Sequence, residues 1–105
     1  MLNDNNFQET FANERFTIVS VSGNGCASCV AMYDIINKYA DIAKIYFIDV
    51  QDFPKLLDYY QIEQINTTFF LNYGKIIGVV KGYQPEEIFG LYIEALQDKI
   101  DKEGK

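Results

Sequence analysis

Cys26 and Cys29 are the only cysteines in the chain, and they stand C-x-x-C within Gly23-Asn24-Gly25-Cys26-Ala27-Ser28-Cys29. An apolar run, Phe16-Thr17-Ile18-Val19-Ser20-Val21-Ser22, precedes them, and a helical pattern opens at Ala27. The pair therefore falls where a strand hands over to a helix. In the first turn of that helix, unpaired backbone N–H groups and the positive end of the dipole would face the Cys26 sulfur. A thiolate so placed is stabilised, and its pKa is expected below the ~8.5 of free cysteine. Cys29, one turn on, shares the helix face and lies within reach of closing a disulfide. This spacing suggests dithiol–disulfide chemistry. The plainer alternative makes Cys29 a small apolar residue of the helix stripe and Cys26 a surface thiol without a role.

Composition narrows the setting. A chain of 105 residues with 49% hydrophobic residues can bury a core of its own, and residues 1–105 are read as one domain. The net charge of −6 argues against nucleic acid and anionic membrane as partners, since both call for basic patches. Residues 1–6 show no basic region followed by an apolar core, so no secretory signal is expected there. No apolar run approaches the ~20 residues of a membrane span. Two cysteines are too few to staple a small secreted fold, and C-x-x-C beside a βαβ pattern reads as redox-active in a reducing cytosol. A cytoplasmic location is the expectation. The absence of His removes the usual general base and a common zinc ligand.

The elements that must position the cysteines follow from periodicity. Phe7, Thr10 and Phe11 predict a short helix over 3–13, and the β-formers among residues 15–22 a buried strand. A helix is expected over 27–40, burying Cys29, Met32, Tyr33, Ile36, Tyr39 and Ala40. Residues 44–50 form a second apolar strand, so strand, helix and strand imply a parallel βαβ unit. Asp52 could cap a short helix over 53–60, with Leu56, Leu57 and Tyr60 inward. Residues 66–71 and 75–81 read as a hairpin around Asn72-Tyr73-Gly74, with Gly78 and Gly82 marking bulges or close backbone approach. Pro85, Glu86 and Glu87 open a last helix that buries Ile88, Phe89, Tyr92, Ile93, Leu96 and Ile100, and residues 101–105 are expected to fray. The order α-β-α-β-α-β-β-α predicts an α/β fold, a mixed sheet of about four strands with helices on both faces.

That order, with C-x-x-C at the end of the first strand, resembles the thioredoxin family over nearly the whole chain. Residues 60–74, Tyr60-Gln61-Ile62-Glu63-Gln64-Ile65-Asn66-Thr67-Thr68-Phe69-Phe70-Leu71-Asn72-Tyr73-Gly74, are similar to the family's "Y-x-I-x-x-I/V-P-T" segment, its strand and its "x-N-G" turn. Gly82 and Gln84-Pro85-Glu86-Glu87 match the family's glycine before the last helix and the opening of that helix. Four departures surround the cysteines. Gly25 stands where the family has Trp, and Ala27-Ser28 replace Gly-Pro, so partner choice and reduction potential are open. Ser20 stands where the family carries a buried proton-relay aspartate, with Ile45, Tyr46 and Phe47 in place of the accompanying lysine. Asn66 stands where the family has the cis-proline facing the disulfide. Because a non-proline cis bond costs about 3–4 kcal/mol, Ile65–Asn66 is expected to be trans unless the fold enforces otherwise.

The resemblance implies a thiol–disulfide oxidoreductase of cell redox homeostasis. Cys26 would be the nucleophile and Cys29 the resolving thiol, with Gly25, Ala27, Ser28, Ile65, Asn66 and Thr67 shaping the substrate groove and Ser20 at the proton-relay position. It implies no cofactor beyond a reversible Cys26–Cys29 disulfide, disulfide-containing protein substrates, a thioredoxin-reductase-type electron donor, and a monomer. Two other readings stay open: a redox-inactive thioredoxin-like interaction module, which the departures favour, and a dimer binding a metal or iron–sulfur cluster through two C-x-x-C pairs. Asn66 is either a polar contact to substrate or Cys26, or an ordinary turn residue. Ser20 reads more simply as a satisfied strand hydroxyl than as a relay remnant. The tyrosines read as packing residues, with Tyr59, Tyr73 and Tyr83 expected at the surface.

Overall fold

The structure is a computed structural model and describes residues 2–103. Its elements run α1 (Phe7–Ala12), β1 (Phe16–Ser22), α2 (Ala27–Asn37), β2 (Lys44–Asp49), α3 (Pro54–Tyr59), β3 (Thr67–Asn72), β4 (Lys75–Lys81) and α4 (Glu86–Glu103). The four strands form one mixed sheet in the order β2-β1-β3-β4. β1 pairs parallel with β2 and antiparallel with β3, and β3 pairs antiparallel with β4. The expected order and the expected sheet are both present.

Alternation along the central strands divides the core in two. Phe16 and Ile18 of β1, with Phe70 of β3, pack with Met32, Ile35 and Ile36 of α2 and Phe89, Ile93, Leu96 and Ile100 of α4. Val19, Val21, Phe69 and Leu71 turn the other way, against Phe7, Phe11 and Leu56 of α1 and α3. A strand buried on both faces reads as a continuous apolar run, which is how β1 and β3 are written. The same alternation sends Ser20 to the α2 side, level with Thr68 across the β1–β3 pair.

Several local expectations are corrected. α1 and α2 are shorter than expected, and α2 gives way to turns after Asn37. Its buried stripe is Met32, Ile35 and Ile36, while Tyr33 and Ala40 lie exposed. The stripe is rotated because α2 must face both the sheet and α4, and Ile35 fills that corner. On α4, Ile88 is exposed and Phe89 takes the inward place. Residues 101–103 continue the helix, where Lys102 pairs with Asp98 at 3.4 Å, and residues 104–105 lie outside the described residues. Asp52 does not cap α3. The carboxylate of Asp4 does so from the distant N-terminal segment, accepting from Lys55 N at 3.0 Å and Leu56 N at 2.9 Å. Local sequence could not show this, because the cap comes from residues brought alongside by packing.

The hairpin turn is tighter than the sequence suggested. Tyr73 (φ 52°) and Gly74 (φ 82°) are both left-handed, as a two-residue turn between right-twisted strands requires. The β3–β4 register shifts between Phe70 and Leu71, whose partners are Gly78 and Ile76, so the expected irregularity at Gly78 is present. Tyr59, Tyr73 and Tyr83 are exposed, as expected.

Candidate functional site

The sheet, α2 and the loop entering β3 converge on the cysteines. Gly25, at φ +76°, turns the chain out of β1's end and into α2. Cys26 is the N-cap of α2 rather than a first-turn residue: its backbone is extended, and its sulfur accepts the N–H of Cys29 at 3.2 Å. The expected dipole geometry holds, since that N–H is one of the helix's unpaired initial donors. Cys26 and Cys29 are joined as a disulfide with their Cα atoms 5.3 Å apart.

Above the disulfide, Ile65–Asn66 is cis, which corrects the expectation of a trans bond. One local and one tertiary hydrogen bond hold the segment. Thr67 Oγ1 donates to Gln64 O at 2.6 Å, and Gly82 N donates to Asn66 O at 2.7 Å. Asn66 reaches Ser28 and not Cys26 directly. Its side chain is buried, its Nδ2 donates to Ser28 Oγ at 3.3 Å, and Ser28 Oγ lies 3.6 Å from Cys26 Sγ. The buried Oδ1 of Asn66 has no partner among the described residues. Ile65 is 39% exposed at the rim, with its Cδ1 against Gly23.

On the other side of the sulfurs lies an open hollow of about 290 Å³, lined by Ser20, Cys26, Cys29, Tyr33, Asp34 and Phe47, among others. Tyr33 and Phe47 form its outer wall, ring centroids 4.4 Å apart. Ser20 is buried at its floor and pairs across β1–β2 with Phe47, so neither a carboxylate nor an amine occupies these two sheet positions. Asp34 is the only carboxylate among the described lining residues, and no lysine or arginine lines the hollow. Sequence reasoning brought Ser20, the cysteines and the segment of Phe47 together but missed Tyr33 and Asp34. The signal was present in Phe47, which sits on the α2 side of β2 level with Ser20. Among the described residues no three His, Cys, Asp or Glu side chains group in a way that could hold a metal ion.

A disulfide at the N-terminus of α2, facing the loop that enters an antiparallel hairpin of a four-stranded mixed sheet, defines a thioredoxin-like protein. The Thioredoxin family model matches residues 1–95, and the chain belongs to the thioredoxin family. In three dimensions it is similar to a thioredoxin variant from Halobacterium salinarum, with a TM-score of 0.74 and 19% identity over 84% of this chain and 80% of that one. At that identity the likeness concerns the fold. No curated protein matches the chain in sequence. Among the described residues no helix is long and apolar enough to cross a membrane.

Proposed function

We propose that this member of the thioredoxin family exchanges electrons with protein disulfides through Cys26 and Cys29. The observation that carries the reading is the disulfide at the start of α2, with Cys26 Sγ accepting a backbone N–H at 3.2 Å. The Cys26 thiolate attacks one sulfur of a substrate disulfide, forming a mixed disulfide and expelling the substrate's other sulfur as a thiolate, which takes a proton from water. Cys29 then loses its proton, and its thiolate attacks the Cys26 sulfur. The second substrate thiolate leaves, and the Cys26–Cys29 bond remains. Two electrons have passed from the dithiol to the substrate.

The surroundings suit these steps. Ser20 cannot serve as a base at neutral pH, so the Cys29 proton goes to water or to a group of the partner, reached through the hollow that borders Cys29. Gly25, Ala27 and Ser28 on one side and Ile65, Asn66 and Thr67 on the other form the groove for the substrate chain. Exposed Ile65 at the groove and exposed Val30 lining the hollow give the site apolar surface suited to a protein substrate. The setting we infer is cytoplasmic, in cell redox homeostasis, with a thioredoxin-reductase-type donor and the chain acting as a monomer.

The test is the rate at which the reduced protein attacks a simple peptide disulfide at neutral pH, with free cysteine and Cys26→Ser as references. A rate well above free cysteine, lost in the variant, is expected. A rate equal to free cysteine's would remove the exchange reading and leave a redox-inactive interaction module.

A further inference from the structure

One arrangement of this chain's own residues reaches the Cys26 sulfur from the loop before β3. Ser28 Oγ accepts from Asn66 Nδ2 at 3.3 Å and lies 3.6 Å from Cys26 Sγ. A sulfur in a disulfide carries no hydrogen, so in that contact the hydroxyl is the donor. Because the Asn66 amide occupies a lone pair of Ser28 Oγ, the hydroxyl hydrogen is left to point at the sulfur. Asn66 is itself held: it is 3% exposed, and the carbonyl of the same residue accepts from Gly82 N at 2.7 Å.

We infer that Asn66 and Ser28 form a positioning pair that directs a hydroxyl hydrogen bond onto the Cys26 sulfur and stabilises its thiolate. The inference rests on the exchange reading above and adds to it a second source of nucleophile activation, beside the start of α2. In the reduced protein the Cys26 thiolate then accepts two donors, the Cys29 N–H and the Ser28 O–H. Hydrogen bonds to an ionised group are the stronger kind, and they lower the pKa of the acid that forms it. Beyond the start of α2 itself, no other source is at hand. The titratable groups bordering the hollow are the cysteines, Tyr33 and Asp34 of α2; β1 presents Ser20 and Ser22 there, β2 presents Phe47, and the loop before β3 presents Ile65 and Asn66 to the site. Among the described lining residues there is no cation, and Asp34 would oppose a thiolate. Ser28 touches the reacting sulfur, whereas Asn66 acts through Ser28.

The experiment is the pH dependence of iodoacetamide alkylation of the reduced protein, with peptide mapping to assign the label to Cys26. Ser28→Ala is compatible with the helix, since alanine is the better helix former. It should move the Cys26 midpoint up by about one pH unit, equivalent to about tenfold less thiolate at a fixed lower pH. Ser28→Thr, which keeps the hydroxyl, should retain the parent midpoint. Asn66→Ala should shift the midpoint in the same direction in the parent and not at all in the S28A background. Asn66→Pro, which removes the amide but restores the family's residue, should repeat that result if the alanine variant folds poorly. An unchanged S28A profile would overturn the inference, as would an Asn66 effect of equal size with and without Ser28. Peptide-disulfide exchange measured on the same samples separates the two claims. A depressed midpoint that Ser28→Ala raises, without exchange, supports the pair and removes the exchange reading. Rapid exchange with an unchanged S28A midpoint does the reverse.

Discussion

Tyr92 lies directly over Gly78: a Cβ built on Gly78 would stand 2.5 Å from the Tyr92 hydroxyl and 3.2 Å from its ring. The neighbouring Val79 N–H donates to that hydroxyl at 3.2 Å, so α4 is tied to β4 where the strand bulges. Gly78→Ala must displace a tyrosine that also packs on Phe70, with ring centroids 5.3 Å apart. A loss of about 1–3 kcal/mol in urea unfolding is expected. Tyr92→Phe, which keeps the ring and loses only the hydrogen bond, should cost less, about 1 kcal/mol. A G78A variant as stable as the parent would show that α4 yields at this point.

The Asp4 cap predicts that the N-terminal segment stabilises α3. Asp4→Ala removes the acceptor for two helix-initiating N–H groups and should lower stability by about 1–2 kcal/mol. Asp52→Ala, which removes a carboxylate that caps nothing there, should change stability by less than about 0.5 kcal/mol. Chemical denaturation of the two variants side by side makes the comparison, and equal losses would contradict it.

Alkaline pH should loosen the fold through two partly buried tyrosines. Burial, and then the hydrogen bond to Glu14, push Tyr46 up to about 12; burial, and then Tyr59, push Tyr60 up to about 12. The folded state thus keeps these protons where the unfolded chain, titrating near the usual value of about 10, gives them up. Their contribution to stability is whole below pH ~10 and lost as pH rises towards 12. Tyr46→Phe should make the decline in melting temperature between pH 9.5 and 11.5 shallower. An identical slope in parent and variant would rule Tyr46 out as a contributor.

For the exchange reaction, Cys29→Ala should stop the cycle at the mixed disulfide, because no second thiol remains to attack the Cys26 sulfur. Incubation with a peptide disulfide should yield a covalent adduct on Cys26, visible by intact mass and released by dithiothreitol. Cys26→Ser should give no adduct at a comparable rate. If the two variants trapped peptide equally, the division of labour between the cysteines would be wrong.

The outline of this molecule is written locally. β1 and β3 are unbroken apolar runs because both faces of a central strand are buried, and C-x-x-C between a strand and a helix pattern puts both sulfurs at a helix start. The positive φ at Gly74 and the opening of α4 at Pro85-Glu86-Glu87 were likewise legible in residue type. What failed were readings of features that a distant segment decides. Asp52 stood at a suitable position for a cap that Asp4, some fifty residues away in sequence, supplies. Tyr33 fitted the helix period, yet it packs against Phe47 at the rim of the hollow, and Ile35 is buried instead.

By itself, then, the sequence determined the kind of element at each place, the order of elements and the placing of both sulfurs at a helix start, because periodicity, turn chemistry and spacing act over a few residues. Tertiary structure alone decided the surroundings of the sulfurs. It set Asn66 in a cis bond against Ser28, made Ser20 and Phe47 neighbours across two strands, and opened the hollow beside Cys29. Those contacts join segments 20 to 40 residues apart, and their energies exist only once packing has brought the segments together.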